Sequence, residues 1–239
     1  MRQWIGQRLV RFLSCPRQGV GLGPTSPPAM QAAVIQRGDI LLVEGTSRIS
    51  EAIKHLTQST WSHAALYIGD GQLIEADVET GVRYLPLSEY DDSHTRICRP
   101  VGLVNSEVSA LIDFMVARVG HQYDMRHIMD LARYLVPTPP VPERWRRRLL
   151  VLGSGAPTRA ICSSLIASAF HSVRYPILPD HEIAGETGEG EVLVRRHYSL
   201  FTPRDFDVSP YFDIVKPRLN SEFDPHRLVW IHTPRAPLL

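Results

Sequence analysis

An α+β domain, a small antiparallel sheet or barrel packed against helices, is the fold class that three observations predict. Short apolar runs of strand length recur through the first half of the chain, at 40–44, 62–68, 72–78, 83–87 and 95–100. Helical spacing then replaces them, at 106–119 and 161–173. Strands gathered before helices, rather than alternating with them, point to an antiparallel sheet with helices to one side. The 239 residues, 44% apolar, suffice for one substantial core, and no internal repeat divides them.

The elements follow in order. Residues 1–16 carry Trp4, Ile5, Leu9, Val10, Phe12 and Leu13 near helical spacing with Arg2, Arg8 and Arg11 outside them, which predicts a short amphipathic helix. Arg8 and Arg11 interrupt the uncharged run that a secretory signal needs, so secretion is not expected. Residues 17–29, rich in Gly and Pro, read as a linker, and a single domain should fill 30–239. Within it, strand 40–44 precedes a helix at 47–58 with Ile49, Ile53 and Leu56 on one side. Two strands follow around Gly69-Asp70-Gly71, and helix 106–119 buries Val108, Leu111, Ile112, Met115 and Val119. After 127–135 comes a Pro- and Arg-rich insertion at about 137–150, read as a loop and a helix whose arginines suit a solvated face.

A formal charge of +1 demands neither nucleic acid nor an anionic membrane as partner. Cys15, Cys98 and Cys162 lie far apart, with no CxxC pair and no zinc-like spacing, so neither a metal site nor a structural disulfide is expected. No run approaches the roughly 18 apolar residues of a spanning helix. The expected location is the cytoplasm, with at most weak peripheral membrane contact through helix 1–16. Cys98, inside a strand-like run, reads as a small buried hydrophobe.

The hairpin at 62–78 has a derivable register. Ala64, Leu66, Ile68, Ile74, Ala76 and Val78 are all apolar, whereas the odd positions include His63, Glu75 and Asp77. Burying one face requires the even residues of both strands to lie together. A three-residue loop at 69–71 achieves this by pairing Ile68 with Gln72, and Ala65 then faces Glu75. His63 and Glu75 become diagonal neighbours, about 7–8 Å apart at the backbone and within side-chain reach. A carboxylate that fixes an imidazole tautomer is what a general base requires. Cys162, in the first turn of helix 161–173, supplies a candidate nucleophile: the positive helix end and unpaired N–H groups favour a thiolate and can face an oxyanion. Taken alone, the segment equally fits a core cysteine on an apolar helix.

The motifs 37–42 (RGDILL), 59–69 (STWSHAALYIG), 73–76 (LIEA) with Gly81-Val82, 120–124 (GHQYD) and 161–166 (ICSSLI) together resemble the YiiX-like, circularly permuted branch of the NlpC-type, papain-like cysteine hydrolases. Lecithin:retinol acyltransferase is a more distant likeness. In ordinary papain-like enzymes the cysteine helix precedes the histidine strand; here the order is reversed. The resemblance implies a circularly permuted papain-like fold, Cys162 as nucleophile, His63 as base, Glu75 as the orienting third member and no cofactor. Tyr123, in a motif near the active site of such relatives, would bind substrate or the oxyanion, or else be a core tyrosine. The implied activity is cysteine hydrolysis of an amide or ester in a small-molecule, peptide or lipid substrate. The alternatives are lipid acyl transfer and a noncatalytic module that keeps the fold for ligand capture.

Overall fold

The computed structural model describes residues 23–77, 80–121, 161–183, 191–194 and 196–217. The expected helix 1–16, Tyr123 and the insertion at 137–150 lie outside them. Of the stretch read as a linker, Thr25 bridges the N–H and carbonyl of Thr95, at 3.0 and 2.8 Å, and Pro28 opens the first helix, α1 (Pro28–Val34).

Among the described residues six strands form one open antiparallel sheet. They are β1 (Ile40–Val43), β2 (His63–Gly69), β3 (Gln72–Asp77), β4 (Gly81–Pro86), β5 (Thr95–Pro100) and, after the helices, β8 (Phe212–Val215). The spatial order is β4-β3-β2-β1-β5-β8, so the sheet ends on β4 and β8 rather than closing into a barrel. Helix α2 (Arg48–Thr57) joins β1 to β2; the Ser47 hydroxyl accepts from the Ser50 N–H at its start, and left-handed Gln58 ends it. Helices α3 (Asn105–Val116) and α4 (Ile161–Ser172) follow, then a separate ribbon of β6 (Asp180–Ile183) with β7 (Glu191–Val194), and the short α5 (Pro203–Val208).

The hairpin pairs Ala65 with Glu75 and Leu66 with Ile74, as face parity requires, but its turn differs from the expected three-residue loop. Gly69, not Ile68, pairs with Gln72, and the register slips by one between Tyr67 and Gly69. Asp70 and Gly71 form a two-residue turn, both with positive φ (52° and 70°), the geometry that matches strand twist. A β-bulge at Ile68 absorbs the extra residue, so tight turn and correct parity coexist.

The odd face is not the mostly polar one that the sequence suggested. Ala64, Leu66, Ile74 and Ala76 join Ile40, Leu42 and Cys98 beneath α3 and α4, where Leu111, Met115, Ile166 and Phe170 are fully buried. The opposite face buries Leu41, Val43, Ala65, Tyr67, Leu73, Leu85 and Ile97 with Ile35 just after α1. Central strands covered on both faces become nearly continuous apolar runs, which is why 40–43 and 64–68 lack clean alternation.

Phe170, without exposed surface, is ringed by Tyr175, Phe206 and Phe212 at centroid distances of 5.3 to 6.4 Å, and so ties α4 to α5 and β8. Phe170→Ala should lower unfolding stability by about 3–5 kcal/mol, read from urea denaturation, because the surrounding rings cannot collapse into the void.

Candidate active site

Backbone hydrogen bonds fix the approach to His63. The Ser62 N–H donates to the Val43 carbonyl at 3.2 Å, extending the β1–β2 ladder by one residue, and the Gly45 N–H donates to the Ser62 hydroxyl at 2.9 Å. A Cβ at Gly45 would stand 2.2 Å from the Ser50 hydroxyl oxygen and 2.9 Å from that of Ser62, so only glycine lets the three segments close up. His63 is thereby the first residue of β2, at the rim of the sheet.

Its imidazole Nε2 lies 2.6 Å from Glu75 Oε2. Glu75 is almost completely buried, whereas the His63 side chain retains 22% of its exposure. Two further groups hold the carboxylate, and sequence reading had singled out neither. Arg83 Nε donates to Oε1 at 2.9 Å and its Nη2 to the same oxygen at 2.8 Å; the Tyr90 hydroxyl donates to Oε2. A signal for Arg83 existed: with a three-residue connection at 78–80, Glu75 faces Arg83 directly across β3 and β4. Tyr90 ends the 3₁₀ turn Leu87–Tyr90, for which no periodicity speaks.

Cys162 stands in the first turn of α4, 5% exposed, with its sulfur 3.8 Å from the Ser163 hydroxyl and close enough to His63 and the Ala64 N–H for both to favour its thiolate. Because Nε2 is engaged by Glu75, Nδ1 is the nitrogen left to share a proton with the thiol. Helix α4 covers the even face while Glu75 belongs to the odd one, and the two halves of the site meet only because His63 sits at the strand's beginning.

Burial opposes every charge here, and the partners override it. Burial would push the Cys162 thiol up, yet the His63 charge and hydrogen bond bring it below its ordinary value. Burial would likewise push His63 down, but Cys162 and then Glu75 raise it well above the usual imidazole range. Desolvation would also raise Glu75; His63, Tyr90 and Arg83 lower it to about 2. Tyr90 is driven upward, by burial first and by the Glu75 charge second, and so remains a donor. Cys98 is the contrast: burial and Asp207 push its thiol up to about 12. Among the described residues no group of three or more His, Cys, Asp or Glu side chains is placed to hold a metal ion, and no helix is long and apolar enough to cross a membrane.

A histidine strand, a glutamate strand and a later cysteine helix meeting at one point is the arrangement the reversed motif order implied. Residues 34–135 match the family described as permuted papain-like amidase enzyme, YaeF/YiiX, C92 family. Over this stretch the chain is similar to that family. The match takes in His63, Glu75 and Tyr123 and ends before Cys162. Among solved structures, the crystal structure of metalloprotein yiiX from Escherichia coli O157:H7 is 16% identical, covering 77% of this chain and 98% of that one at a TM-score of 0.49. No curated protein matches the chain.

The depressed Glu75 carboxyl makes stability pH-dependent in a defined direction. Its contribution is complete above the ordinary carboxyl value of 4.5 and is lost as pH falls through about 2. Glu75→Gln should therefore be less stable than the parent by about 2–4 kcal/mol near pH 6, with the gap closing between pH 4.5 and 2 in urea titrations.

Proposed function

We propose that this YiiX-like protein is a cysteine amidase that works through an acyl-enzyme on Cys162. The observation carrying this reading is the Cys162 thiol placed beside His63, each favouring the charged form of the other, while Glu75 holds that imidazole through Nε2 at 2.6 Å. The YaeF/YiiX family description, a permuted papain-like amidase, supports the amide as the bond broken.

The steps follow from the placement of the groups. A thiolate at Cys162 attacks the amide carbonyl carbon, and the negative charge moves to the carbonyl oxygen. The Cys162 backbone N–H, in the first described turn of α4, is the donor we assign to that oxyanion. His63, holding the thiol proton, gives it to the departing nitrogen as the C–N bond breaks, which leaves a thioester. Water, deprotonated by His63, then attacks the thioester and restores the thiol. Glu75 keeps the ring oriented and stabilises the imidazolium. Tyr123 is assigned a substrate- or oxyanion-facing role on the strength of its motif alone.

Thiolate and imidazolium coexist in the window bounded by a lowered cysteine and a raised histidine. Iodoacetamide should accordingly alkylate Cys162 at pH values too low for an ordinary thiol to react, and in strong preference to Cys98. Peptide mass mapping reads the site; preferential labelling of Cys98 would sink the assignment.

With a panel of acyl amides, a mass-mapped acyl adduct should appear on Cys162. Cys162→Ala should abolish turnover, whereas Glu75→Gln should retain activity reduced roughly 10- to 100-fold. Acyl transfer to an added alcohol or amine in place of water would identify a transferase instead.

A further inference from the structure

The same end of the sheet carries a second polar feature. A cleft of about 410 Å³ is lined by Trp61, His94, Arg96, Arg204 and Asp207, with 58–60 along its side. Its lining does not include His63 or Cys162, yet its position relative to them is fixed by register. Ala64, whose N–H meets the Cys162 sulfur, pairs with Leu42, and Leu42 pairs with Arg96. Arg96 therefore lies in the same lateral row, on the face covered by α4, two strands from Ala64. Two inter-strand spacings amount to roughly 10 Å.

The charges in the cleft do not cancel. Asp207 is used up on both oxygens: Arg96 Nη1 donates to Oδ1 at 2.6 Å and the Trp61 indole N–H donates to Oδ2 at 2.9 Å. Arg96 lies over the Trp61 ring, 4.9 Å from its centroid, and His94 packs against that ring at 5.0 Å. His94 is in turn fixed by Glu44, which also holds Lys54. The walls are thus rigid and internally paired. Arg204 is different: it stands exposed on α5, and no described carboxylate pairs with it. Two guanidinium groups against one carboxylate leave one positive charge, which suits a monoanion.

We infer that this cleft is a substrate subsite that receives a carboxylate about 10 Å from the scissile carbonyl, with Arg204 as its counter-ion. As a subsite it rests on the amidase reading; as an anion site it does not. The substrate class is accordingly an amide whose chain bears a carboxylate two to three residue-lengths from the bond attacked. Arg204 is a specificity determinant, and the Asp207–Arg96–Trp61 cluster positions the wall behind it.

Two measurements on the full chain test this. In the first, N-acetyl-6-aminohexanoate, whose span is roughly 10 Å, is titrated against its neutral amide in the full-length Cys162→Ala protein, which has no thiol to cleave it, with binding followed by NMR at the Trp61 indole N–H. The acid should bind about three- to fivefold more tightly, Arg204→Gln should erase the difference, and Arg204→Lys should keep most of it. In the second, N-iodoacetyl-6-aminohexanoate and its amide compete to alkylate Cys162. The acid should react faster by a similar factor in the parent but not in Arg204→Gln, while the plain iodoacetamide rate stays unchanged in that variant. Equal or undetectable binding of acid and amide overturns the inference whatever the thiol does. Discriminating binding with equal alkylation rates overturns the subsite role. If plain iodoacetamide itself fails to reach Cys162, the amidase reading falls and takes the substrate role with it.

Discussion

A buried carboxylate with three donors is the constraint on which this arrangement depends. Glu75 is 1% exposed, and an ion so placed is tolerable only when its lone pairs are filled. His63, Arg83 and Tyr90 fill them from the start of β2, from β4 and from the 3₁₀ turn beyond β4. Satisfying one charge therefore brings three separate parts of the chain together. The His63 ring acquires its orientation as a by-product of that closure, so forming the sheet rim and preparing the proposed base are one event.

The two-sided burial of the sheet has a matching consequence. Apolar residues of opposite parity face different layers, and a pair from different layers can meet only at a strand end. His63 occupies such an end, between a glutamate of the odd face and a cysteine brought in over the even face. The two buried thiols show how far location governs chemistry. Cys98, in mid-strand beneath α3 and α4, is raised by burial and by Asp207; Cys162, equally deprived of water, is lowered by one adjacent imidazole.

Polar groups accumulate where β1 ends and where β2 and β5 begin. Glu44 holds both Lys54 and His94, and Asp207 holds both Arg96 and Trp61. These pairs draw α2 and α5 onto the rim that carries His63. An extended row from Ala64 through Leu42 to Arg96 thus connects the sulfur's backbone donor with the cleft at Arg204, within one rigid sheet.

Much of the fold was legible in the sequence because its signals are local. Period-two and period-3.6 patterning located β1, β2, β3, β5, α2, α3 and α4 to within a few residues, and parity alone required Ala65 to face Glu75. From that pairing, the adjacency of His63 and Glu75 followed. The bulge at Ile68 was not legible, because a two-residue turn satisfies parity only when a bulge absorbs one residue, and the favourable twist of the tight turn outweighs that irregularity. Burial of the odd face also escaped, since its cover comes from α1 and from side chains of the 3₁₀ turn, Leu87 and Tyr90. Sequence determined that Cys162 opens a helix and that His63 and Glu75 share a face. Only tertiary structure decided that the helix delivers its sulfur to that imidazole, that Arg83 and Tyr90 complete the carboxylate's shell, and that no described carboxylate pairs with Arg204. Local patterning fixes where a side chain points, whereas contacts between separate elements depend on how the layers stack.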